Sequence, residues 1–162
     1  MYEEPCDMAQ LHEALFHAIT SPIVAIDRSG SIVEWNRAAE ECTGIPRSEA
    51  IGSELWRLQA RIAPATIPYE QALQQSHATF DDWVTMSVDE NSTWLEEYES
   101  EILTPRGEVH HLHTEIFPLR LQNRLFFVGV LTPEYRPRRR GAGTFSGRDD
   151  LSEQIMQPVG DN

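Results

Sequence analysis

The sequence predicts an α+β fold: a five-stranded antiparallel sheet with short helices on one face and an N-terminal flanking helix. Three observations predict it. Two short β-rich runs, PIVAID and SIVEW, bracket a tight turn at Gly30. Helical patterning and helix punctuation dominate from Asn36 to residue 88. Three longer β-rich runs separated by turn residues then follow, ending near Pro133.

Each element has a local reason. Residues 1–8 read as a flexible lead. Met8, Leu11, Leu15 and Ile19 recur at spacings of three and four, which makes one apolar face of a short helix. Pro22 ends it, because a residue before proline is pushed out of the helical region. Ile23 to Ile26 form a strand, Gly30 supplies the turn, and Ser31 to Trp35 return as its hairpin partner. Asn36 is a good cap for a helix over RAAEECT, and Gly44 stops that helix. Arg47 to Ala50 make a single turn, and SELWRLQARI a further short helix after Gly52. Pro64 and Pro68 bound a connector to a longer helix over 69–88. WLEEYESEIL, VHHLHTEIFPL and LFFVGVL are the closing strands, with turns at Gly107 and Asn123, and Pro133 is expected to stop the last.

Composition bounds the function. Of 162 residues, 40% are hydrophobic, enough to bury one core. The net charge of −13 argues against nucleic-acid binding by the folded body. Charge is uneven: residues 1–135 carry 8 arginines against 22 acids, whereas residues 136–162 carry 5 against 4. The later segment is rich in Arg and Gly, lacks apolar periodicity, and reads as a disordered tail with at most a transient helix over 151–156. Its cluster of Arg136, Arg138, Arg139 and Arg140 reads as solubilising. No apolar run reaches the roughly 20 residues of a membrane span, and the acidic start is no secretory signal. The expectation is a cytoplasmic protein with no membrane or nucleic-acid partner. Cys6 and Cys42 form no CxxC pair; Cys42 reads as a small buried hydrophobe.

Taken in order, FHAITSPIVAIDRSGSIVEWNRAAEECTGIPRSEAIG and EILTPRGEVHHLHTEIFPL resemble the opening and closing signatures of the PAS family. Asp27, Gly30, Asn36 and Gly107 are the signature positions. The resemblance spans about residues 12–132 and places a PAS domain over 9–135; residues 59–95 match only in length and helical character. Asn36 is expected both to cap its helix and to bond the Asp27–Gly30 turn, tying hairpin to helix. The likeness is to the sensory PAS domains of bacterial and archaeal sensor histidine kinases. It implies a non-catalytic module that binds a small ligand or protein partner, forms a homodimer through Met8, Leu11, Leu15 and Ile19, and signals to a separate kinase or regulator.

Sites of other chemistry are thin. Phosphate loops, HExxH and GxSxG are all missing, so no enzyme is expected. Asp81-Asp82 and Glu96-Glu97 lie in a stretch with eight acids and no base from Asp81 to Glu101, and read as solvated surface. Trp56, Tyr69, Leu73, His77, Phe80 and Trp83 would line the space between helices and sheet, as a ligand pocket or a filled core. His77 lies where haem-binding members of the family place an axial histidine, but QQSHATF lacks their pattern. GSELWRLQ lacks the reactive cysteine of flavin photosensors. No cofactor is therefore expected. On a strand, His111, His113 and Glu115 share one face and can grip zinc; a polar outer sheet face explains them as well, and no metal is assigned. A cofactor-loaded sensor (haem, flavin or metal) and a ligand-free structural adaptor are the rival readings.

Overall fold

The computed structural model describes residues 6–134. The first five residues of the expected lead and the whole Arg-rich tail lie outside the described residues. Ten elements follow in order: α1 (Met8–Ala18), β1 (Ile23–Asp27), β2 (Ile32–Trp35), α2 (Arg37–Thr43), α3 (Arg47–Ala50), α4 (Leu55–Arg61), α5 (Tyr69–Met86), β3 (Glu96–Leu103), β4 (Val109–Leu121) and β5 (Arg124–Glu134). The strands form one antiparallel sheet in the order β2-β1-β5-β4-β3. The first hairpin therefore lies against the last strand, and the helices α2–α5 bridge the two edges.

Local chemistry sets the ends of these elements. Asp27 Oδ1 accepts from the backbone N–H of Ser29 (2.9 Å) and Ser31 (3.1 Å) and from the Ser29 hydroxyl (2.6 Å). That closes the β1–β2 turn, with Gly30 at φ +89°. Gln122 and Asn123 take φ of 48° and 62° in the β4–β5 turn. Two successive left-handed residues match the twist of a tight hairpin, and an asparagine at the second tolerates it.

Asn36 departs from its expected role in one respect. It caps α2, its Oδ1 accepting from Ala39 N–H at 2.9 Å. It does not bond the Asp27–Gly30 turn. Instead Oδ1 also accepts from Ile23 N–H at 2.9 Å, and Nδ2 donates to Ser21 O (3.0 Å) and Phe16 O (3.3 Å). The fully buried amide joins the end of α1 and the start of β1 to α2, while Asp27 holds its own turn.

Pro133 does not stop β5, which runs on to Glu134 with Pro133 opposite Leu112. The reason lies in the sheet. β1 accompanies β5 only as far as Val130, and Leu131 N–H still donates to Pro22 O at 2.9 Å, but at Pro133 the strand pairs with β4 alone. A missing N–H costs no ladder bond on the open side.

Alternation along the strands makes two faces. Val24, Ile26, Ile32, Ile102, Leu112, Ile116, Leu125 and Phe127 are buried beneath the helices. Phe127 centres a ring cluster, with centroids 5.5 Å from Phe80, 5.9 Å from Trp83 and 6.0 Å from Trp94. Trp56 joins through Phe80 at 5.4 Å and lies across Gly30.

Two glycine substitutions separate backbone strain from packing. A Cβ at Gly30 would lie 2.2 Å from the Trp56 ring, whereas at Gly107 (φ +82°) nothing lies within 4 Å. Gly107→Ala should cost about 1 kcal/mol in urea denaturation, from the left-handed backbone alone. Gly30→Ala should cost more by about 1–3 kcal/mol, because the indole must also move. Equal losses would show that Trp56 does not brace the turn.

Candidate functional site

A cavity of about 670 Å³ lies between α4, α5 and the sheet. Its apolar lining includes Val24, Leu58, Ile62, Trp83, Leu112 and Ile116, and its polar lining Gln59, Gln75, Ser76, Thr79, Tyr98 and Thr114. The volume falls within the roughly 300–1,000 Å³ of small-molecule sites, and an apolar lining with a few polar groups is their usual chemistry. Burial, with the charge of Glu96 adding to it, pushes the Tyr98 hydroxyl up to about 12. It therefore stays protonated and can donate. The Trp83 indole N–H donates to Glu96 Oε2 at 2.9 Å, so Glu96 is tied into the structure rather than being plain solvated surface.

Of the six residues expected to line a pocket, Trp83 alone lines this cavity. Phe80 and Trp56 fill space in the ring cluster. His77 lies edge-on to Trp56 at 4.3 Å and 3.3 Å from Asp81, away from the cavity lining. Tyr69 is exposed and Leu73 half-buried. The cavity-lining residues of α5 are instead Ala72, Gln75, Ser76, Thr79 and Trp83. Their spacing of three and four is helical, but the stripe is small and polar, so a search for apolar periodicity passes over it. Tyr98 and Thr114 escape for a different reason: they are opposite each other across β3 and β4, a register that only strand pairing shows.

The outer face of the sheet carries a second cluster. Glu97, Glu99 and Glu101 of β3 stand opposite Glu115, His113 and His111 of β4. His113 Nδ1 lies 2.7 Å from Glu99 Oε1, and His111 Nδ1 3.7 Å from Glu101 Oε2. His111, His113 and Glu115 thus share a face as expected. They are not the convergent set, however. Glu97 replaces His111: one ligand atom each of Glu97, His113 and Glu115 lies within 4.8 Å of the other two.

α1 buries none of its side chains, and Met8, Leu11, Leu15 and the adjoining Ile19 are exposed. Cys42 is buried and its thiol is pushed up to about 11 by that burial, which leaves it unreactive near neutral pH. No helix among the described residues is long and apolar enough to cross a membrane.

Comparison with known proteins agrees with this geometry. The family described as "PAS fold" matches residues 10–131. Among curated proteins, phytochrome C of Oryza sativa subsp. indica is 51% identical over 41 residues, a quarter of this chain. The match spans only 4% of that protein's length. Among solved structures, the PAS domain of an HTR-like protein from Haloarcula marismortui superposes with a TM-score of 0.57 at 19% identity, over 78% of this chain and 92% of that one. A PAS domain from a two-component sensor histidine kinase gives 0.54 at 11% identity, over 78% and 96%. At these identities the two structures establish the shared fold.

The outer-face pairing has a pH signature. The hydrogen bond to Glu99 raises the pKa of His113 above the ordinary 6.5; partial desolvation opposes it, and the charges of Glu99, Glu97 and Glu115 add to it. A raised histidine pKa stabilises the fold fully below the ordinary value, and that contribution is lost as pH rises through the raised one. NMR titration should find His113 titrating above 6.5 in the native chain and falling toward it in Glu99→Gln. No change in that variant would refute the pairing.

Proposed function

The chain belongs to the PAS family of sensory domains, and from that premise we propose that it binds a small, largely apolar molecule in the cavity beneath α5 and signals without catalysing a reaction. The cavity carries this reading. Ala72, Ser76 and Thr79 of α5 leave room that bulkier side chains would fill, and Val24, Ile26, Leu112 and Ile116 of the sheet face them, with Tyr98 and Thr114 alongside. Gln75, Ser76 and the Tyr98 hydroxyl offer a few directional contacts. A ligand-free adaptor with a filled core is disfavoured by the same volume. His77 lies outside the cavity lining, which disfavours haem held through it.

The signal would leave through α1. None of its side chains is buried, and an isolated helix of 11 residues is marginal in water. A second copy of the chain is the occupant we propose for that face. A change in the cavity would then alter the paired helices and be read by a kinase or regulator, as suits a fold shared with a histidine-kinase PAS domain. A cytoplasmic location fits these roles.

Native mass spectrometry of the purified chain should show a co-purifying molecule of a few hundred daltons. Ser76→Phe, which places a ring in the cavity, should remove it while the protein remains folded. An unliganded native chain whose melting temperature no member of a small apolar compound library shifts would refute the ligand reading.

Dimerisation is tested apart from the ligand. Light scattering on a sizing column should give a dimer at high micromolar concentration, converted to monomer by Leu11→Asp or Leu15→Asp. A native chain that is monomeric under those conditions, and unchanged by either substitution, removes the proposed role of α1.

A further inference from the structure

We propose that Glu97, His113 and Glu115 bind one divalent transition ion, such as zinc, on the sheet face opposite the helices. This site is independent of the cavity and of any ligand held there.

Three observations carry the proposal. The first is convergence: a carboxylate oxygen from Glu97, a ring nitrogen from His113 and a carboxylate oxygen from Glu115 lie within 4.8 Å of one another. No other group of three metal-ligating side chains comes together in this way among the described residues. The second is the orientation of the imidazole. Glu99 Oε1 holds His113 Nδ1 at 2.7 Å, so an ion bound through Nε2 would leave that bond in place. A carboxylate on the far nitrogen is the usual support of a metal-bound histidine, fixing its tautomer and raising its basicity. The third is an electrostatic conflict. Glu97 stands directly opposite Glu115 across β3 and β4, and like charges so placed destabilise a strand pair. An ion of charge +2 between them turns that repulsion into attraction.

The donor set selects the ion. An imidazole nitrogen with two carboxylates suits zinc and its neighbours in the transition series, whereas calcium and magnesium prefer oxygen donors throughout. Three protein ligands leave a fourth tetrahedral position for water. His111 is turned to Glu101 and lies outside the set.

Isothermal titration of zinc chloride into the metal-free full chain, with cobalt(II) visible absorption as a second readout, tests this. We expect one ion per chain, undisplaced by an equal concentration of magnesium or calcium. Glu97→Gln, Glu115→Gln and His113→Ala should each weaken binding more than about tenfold, and Glu99→Gln about tenfold through the lost support of the ring. His111→Ala should leave affinity unchanged. Circular dichroism verifies folding, and if His113→Ala fails to fold, Glu97→Gln decides. The proposal is overturned by absent saturable binding, by displacement with calcium or magnesium, or by affinity that survives Glu97→Gln. A loss in His111→Ala as large as in Glu97→Gln would likewise overturn it, because His111 would then belong to the ligand set.

Discussion

The buried amide of Asn36 is the constraint on which the arrangement depends. It makes four hydrogen bonds to main chain, two as acceptor and two as donor. Only a carboxamide offers both kinds of contact in so small a volume; a carboxylate lacks the donors and an aliphatic side chain lacks everything. Each of the four partners would otherwise need another hydrogen-bond partner, at a cost of about 1–3 kcal/mol for each left buried and unpaired. The bonds fix where α1 ends, where β1 begins and how α2 departs. The residues from Phe16 to Ala39 are thereby held to a single centre.

That centre explains how α1 stays attached while its side chains remain outside the core. The helix is held through the Phe16 carbonyl and through the strand that follows, with none of its side chains fully buried. On the other side of the centre, α2 leads into the short helices that roof the sheet. The roof is filled unevenly. Phe80, Trp83, Trp94 and Phe127 pack ring against ring at one end, while Ala72, Ser76 and Thr79 leave space at the other. A helix with one bulky end and one small, polar end closes a core and opens a cavity within a single 18-residue element.

The sheet divides its chemistry by the period of two along each strand. Toward the helices, β3 and β4 present Tyr98, Ile102, Leu112 and Thr114; toward the outside, the same strands present three glutamates against two histidines and a fourth glutamate. β3 is an edge strand, and a row of charges on it resists pairing with another sheet. The same row concentrates negative potential where the histidines can answer it.

Much of the fold was legible in the sequence because its signals are local. Gly30 and Gly107 at left-handed turns, the Asn36 cap, the Gly44 stop and the alternation of HHLHTEI each act within a few residues, and each lies where it was expected. Neither the partners of the Asn36 donors nor the continuation of β5 through Pro133 was legible, because both depend on segments remote in the chain. The same holds for the sites. Apolar spacing identified α5 as a helix but pointed to Leu73 and Phe80 rather than Ser76 and Thr79, since rotation about a helix axis is decided by what packs against it. Likewise His113 and Glu115 were visible on one strand, while Glu97, 16 residues before His113, joined them only through cross-strand register. The sequence by itself determined which segments are helix, strand and turn, because backbone propensity is short-ranged. Tertiary structure alone decided which faces meet, because register and helix rotation are set by packing between distant parts of the chain.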